Sequence, residues 1–216
     1  MTDKHNNSAK GAENESARIC LLNCIELCTI IFRGIRNTEC STILEDALPA
    51  LATLSAESLQ SLSVPVSALA GSCPAETDNF CSQLETEYVR LFINSREGVV
   101  APLYESCYGP GFARTMGEPA LAMRRLLEEA GLTPSGNMDS EPPDHLCIEL
   151  EYLYVHLVQG WGSSDEESLR SARAFAGEML VWTGKFRDKL ASGGAMKFYV
   201  QAAALLVAVL EEVTSS

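Results

Sequence analysis

Ala202-Ala203-Ala204-Leu205-Leu206-Val207-Ala208-Val209-Leu210 is an unbroken apolar run near the carboxy end of the chain. It lies in a helical pattern from about Ala195 to Val213 that is apolar almost all round. A helix with no polar face has to be enclosed by other elements, so this one is expected at the centre of a helical bundle. The run itself is too short to cross a bilayer.

The elements that would enclose it are also helical. Immediately upstream, Leu169, Ala172, Ala176, Met179, Thr183, Phe186 and Leu190 recur at helical spacing, with Trp182 at the edge of the stripe and Gly193-Gly194 as a break. Ser163 or Ser164 can cap that helix, with Asp165, Glu166 and Glu167 in its first turn. Leu146, Leu150, Leu153 and Leu157 form another stripe, ended by Gly160. Gly117 to Ala130 is amphipathic and closes on Gly131. Phe80, Leu84, Tyr88, Leu91 and Phe92 make one apolar face that ends near Asn94. Further back, helices are expected over 42–54, bent or broken at Pro49, over 57–69, interrupted by Pro65, and from Ala17 to Phe32. Residues 1–16 are polar and expected to be a disordered tail. No segment alternates with a two-residue period for long enough to be a strand. The expected fold is all-α: one domain over 17–216, roughly eight helices, and a long connection over 95–113 where a hinge is allowed.

Composition narrows the function. Sixteen Lys and Arg against 29 Asp and Glu give a formal net charge of −13. That balance disfavours nucleic acid, whose phosphates are met by basic residues. Eight cysteines are present. Cys20, Cys24 and Cys28 share one helical face, and no Cys-x-x-Cys pair occurs. Buried or reduced thiols in a cytoplasmic protein are therefore expected rather than a disulfide or metal framework. The 18–32 segment is interrupted by Asn23 and Glu26 and lacks a clear cleavage site, so no signal peptide is expected.

The densest chemistry is Ser140-Glu141-Pro142-Pro143-Asp144-His145-Leu146. A structural reading makes Ser140 or Asp144 a helix cap, with the prolines tolerated in the first turn. Charge favours more than that: from Asp139 to Glu178 there are nine acidic and two basic residues. Such a turn can receive guanidinium groups, which pair with carboxylates through two parallel hydrogen bonds. Catalytic options are few. There is no nucleophile elbow, phosphate loop or His-Glu-x-x-His. His145 and Glu149, one turn apart, leave open a metal-dependent helical enzyme, and a helical adaptor with another peptide partner is a further alternative. Arg124-Arg125 reads as a solvated helix face.

These residues resemble a family. Glu141-Pro142-Pro143-Asp144-His145-Leu146 followed by Glu149-Leu150 is similar to the signature of the TorD/DmsD redox-enzyme maturation chaperones. Tyr88-Val89-Arg90-Leu91-Phe92, Ala101-Pro102-Leu103-Tyr104-Glu105-Ser106, and Trp182 and Phe186 with Phe198-Tyr199 resemble further family segments in the same order. The resemblance spans about residues 80 to 210. It departs at Tyr88, where many relatives have tryptophan, and at Ile93-Asn94-Ser95-Arg96, where Gly-Pro is common. It implies a cytoplasmic, non-enzymatic chaperone, monomeric or a helix-swapped dimer, with no cofactor or metal. The implied partner is the twin-arginine signal peptide or apoprotein of a molybdoenzyme. The implied peptide-binding residues are Tyr88, Leu91, Phe92, Pro102, Tyr104, Glu141, Pro142, Asp144 and His145.

Overall fold

The apolar run lies inside α9 (Lys197–Ser215), and Ala202, Ala203, Leu205, Leu206, Val209 and Leu210 are all fully buried. The structure is a computed structural model that describes residues 3–75, 78–94, 98–110, 115–133, 138 and 140–216. α9 is 19 residues long, enough by length and apolarity to cross a membrane, but here it is the packed axis of the bundle. α8 (Glu166–Ser192), α4 (Gln60–Ala70) and α1 (Asp3–Arg33) pack around it. α7 (Leu146–Ser163) lies against α1 and α8, and α3 (Leu48–Ser58) against α1 and α4. The remaining helices are α2 (Asn37–Thr42), α5 (Asp78–Tyr88) and α6 (Glu118–Ala130). The architecture is all-α. Among the described residues the extended pairing is one isolated antiparallel bridge, Tyr104 with His145.

The core runs from Cys20 to Val213 as one cluster. At its middle, Phe32, Phe92, Phe186 and Tyr199 meet edge to face or stacked, with Phe32 5.3 Å from Phe186 and Phe92 5.4 Å from Tyr199. Such aromatic pairs add about 1 kcal/mol each beyond the area they bury.

Several boundaries differ from expectation, each for a local reason. α1 begins within the segment expected to be a disordered tail, and among its described side chains the first buried one is Cys20. The 42–54 helix is relieved by a π-helical turn, Ile43–Ala47, and Pro49 sits harmlessly in the first turn of α3. Pro65 does not interrupt α4: Leu62, Val66 and Leu69 are fully buried around it, and their packing outweighs the lost hydrogen bond. Gly160 does not end α7. It lets α8 approach, because a Cβ there would meet Leu169 Cδ2 at 2.6 Å. The cap of α8 is Asp165, whose carboxylate accepts from Glu167 N at 3.0 Å, not Ser163 or Ser164. Trp182 is buried rather than peripheral. The expectation that all thiols are free is also corrected: Cys40 and Cys81 form a disulfide tying α2 to α5. Their neighbouring helices bring the two sulfurs together, which cysteine spacing alone does not reveal. Cys20, Cys24 and Cys28 are free and buried, as expected.

Candidate functional site

The proline-rich turn and the 101–108 connection form one unit. Leu146 N donates to Leu103 O at 2.8 Å and Glu105 N to Asp144 O at 3.1 Å, which makes the bridge between Tyr104 and His145. The bridge leaves Tyr104 beside the turn, where its hydroxyl donates to Glu141 Oε2 at 2.7 Å and its ring lies 5.2 Å from that of His145. Pro102 is half-exposed, and its carbonyl accepts from Tyr108 OH at 2.7 Å. Lys185 Nζ donates to Tyr108 O at 2.9 Å, fixing the end of this loop on α8.

Asp144 and His145 face inward. Asp144 is 0% exposed, and its Oδ2 accepts from both the backbone N and the hydroxyl of Ser106. Ser106 Oγ in turn accepts from Gly117 N, the N-cap of α6, at 3.1 Å. His145 is 5% exposed, and it, not Ser140 or Asp144, caps α7: Nδ1 accepts from Cys147 N at 3.1 Å. Accepting there requires the neutral ring. Burial pushes the His145 pKa down to about 4, against the opposing pull of Glu141 and Asp144.

Glu149, in the first turn of α7, is buried and accepts from Trp182 Nε1 at 3.1 Å. Burial raises its pKa well above the usual range, and the Glu105 charge raises it further. His145 and Glu149 therefore serve different partners. Among the described residues, no three His, Cys, Asp or Glu side chains are placed to hold a metal ion.

The apolar residues at and just beyond the end of α5 divide. Leu91 and Phe92, on a π-helical turn (Val89–Ile93), are core residues, 0% and 4% exposed. Tyr88 is half-buried, with its hydroxyl donating to Phe32 O at 3.1 Å and its ring 5.0 Å from Phe92. The ring covers Gly34 at the end of α1. Burial raises the Tyr88 and Tyr104 hydroxyl pKa values, and the charge of Glu141 adds to both, so Tyr88, Tyr104, Glu141 and His145 lie within one field.

Two surface features went unnoticed in the sequence. Arg33 pairs with Glu151, joining α1 to α7 beside His145 and Cys147. A groove of about 590 Å³ runs along the turn, with Glu141, Pro142 and Pro143 on one side and Arg124, Leu127 and Glu128 of α6 on the other. Neither side chain of the Arg33–Glu151 pair stands in a motif, and the groove exists only once α6 is packed.

Comparison with known proteins identifies the family. A sequence model of the nitrate reductase delta subunit matches residues 45–188. The chain belongs to this TorD-like family of redox-enzyme maturation proteins. It is 28% identical over 131 residues to "Chaperone protein TorD" of Photobacterium profundum, a match that covers 58% of this chain and 60% of that relative. With the chaperone protein TorD of Vibrio cholerae strain O395 it shares 30% identity over 162 residues, 71% of each chain. The matched stretch thus spans about three fifths of the first of these relatives. A crystal structure described as a redox enzyme maturation protein from Archaeoglobus fulgidus superposes with a TM-score of 0.51 at 21% identity. It covers 88% of this chain and 93% of its own, and shares the TorD-like helical fold.

Proposed function

We propose that this member of the family is a cytoplasmic, non-enzymatic chaperone that binds the twin-arginine signal peptide or apoprotein of a molybdenum-cofactor oxidoreductase. It assists cofactor insertion and delays export until the client is folded. The observation that carries this reading is the groove wall of Glu141, Pro142 and Pro143, backed by half-exposed Tyr104, whose hydroxyl holds Glu141, in a chain of net charge −13. Glu141 presents a carboxylate anchored on one oxygen by Tyr104, which orients it toward a guanidinium. Tyr88, Leu91, Phe92, Asp144 and His145 complete the site from behind the wall, holding the loop and turn in register.

Isothermal calorimetry with a peptide carrying paired arginines and an apolar run tests this reading. Replacing both arginines with glutamine should weaken binding. Glu141→Gln should cost about tenfold in affinity, near 1.4 kcal/mol. Equal affinity for both peptides would remove the arginine-reading part.

A further inference from the structure

We propose that Glu105 and Glu149 share one proton, which clasps the Glu105–Cys107 turn onto α7, and that loss of this proton at raised pH releases the turn. Glu149 is 1% exposed, and Trp182 serves its Oε2, but among the described residues no donor reaches the buried Oε1. A buried carboxylate oxygen left without a donor costs about 1–3 kcal/mol or more. Besides Trp182, Glu105 lies close enough to Glu149 to act on it, and it is an acceptor like Glu149 itself. Their contact becomes a hydrogen bond only when one carboxyl carries a proton and donates it.

The surroundings hold that proton in place. From the connection, Glu105 faces Glu149; from the turn, Asp144 adds a charge, with its own Oδ1 buried and unserved. From α8, Glu178 adds a negative charge at Glu105. On α7, Glu151 points instead to Arg33 of α1. The nearby cations of α8 are spent on Tyr108: Lys185 on its carbonyl and Lys189 over its ring at 5.0 Å. Burial raises both the Glu149 and Glu105 pKa values, the direction that favours a retained proton. When base removes the proton, two carboxylates face each other in a poorly screened site and repel. The half-buried Glu105–Cys107 turn, held otherwise by Asp144 and Lys185, is the side that yields, because α7 is packed into the core.

Infrared spectroscopy and amide hydrogen exchange on the full chain test this. At pH 7 the wild type should show a buried protonated-carboxyl band that is absent from Glu149→Gln. After correction for intrinsic rates, the amides of Glu105, Cys107 and Tyr108 should exchange at least about tenfold faster at about pH 9 than at about pH 6. Glu149→Gln, which keeps an acceptor for Trp182 and a donor for Glu105, should abolish that step. A retained step, or no band lost, overturns the clasp. If Glu149→Gln fails to fold, Glu105→Gln decides: the band should titrate at lower pH and the exchange step should vanish, whereas a persisting step overturns the proposal. No peptide enters the experiment, so its outcome is independent of the peptide-binding reading.

Discussion

His145 shows how a residue that looks chemically active can be a structural acceptor. Its ring must stay neutral to cap α7, and the fold binds its proton less tightly than the unfolded chain does. Its contribution to stability is therefore full above about pH 6.5 and is lost as the pH falls toward 4, up to about 3 kcal/mol. Glu149 runs the other way: its contribution is full below about pH 4.5 and is lost as the pH rises through its raised folded-state value. Denaturant titrations of wild type and His145→Asn between pH 4 and 7 separate the two, because asparagine still caps but does not titrate. The variant should lose the acid-side decline. Gly34 is a second decisive residue. It has φ +97°, and an added Cβ would lie 3.2 Å from the Tyr88 ring. Gly34→Ala should cost about 2 kcal/mol in chemical denaturation. The types in the Asp144-His145 pair were legible in the sequence, but their direction was not. Burial depends on Ser106 and Leu103, some 40 residues away, reaching back to the turn.

At the scale of elements, periodicity located α5 to α9 well because each carries a stripe or an all-apolar surface that only burial satisfies. It failed where tertiary contact decides. Gly160 looked like a stop signal because glycine disfavours helix, yet it serves as the notch into which Leu169 packs, and α7 continues to Ser163. Gly160→Ala should destabilise by about 1–3 kcal/mol through overpacking, and Gly160→Ala with Leu169→Ala should recover part of that loss. Thermal melts of the single and double variants check the coupling. Leu91 and Phe92 illustrate the same limit. Their stripe was readable, but periodicity cannot say whether a buried face meets the core or a partner. Phe92 meets Phe32, Phe186 and Tyr199.

At the scale of the whole molecule, composition and the apolar α9 were sufficient to give an all-helical bundle, while the covalent link between α2 and α5 was beyond sequence reading. The disulfide closes a loop of sequence separation 41. Removing it with reductant should lower unfolding free energy by about 3–4 kcal/mol, and Cys40→Ser with Cys81→Ser should make stability insensitive to reductant. The same bond makes residues 40 to 81 a closed ring enclosing the end of α2, all of α3 and α4, and the start of α5. A single protease cut anywhere inside that ring nicks the chain without dividing it. Such a product should migrate as one piece on a non-reducing gel and separate into two fragments only after thiol treatment.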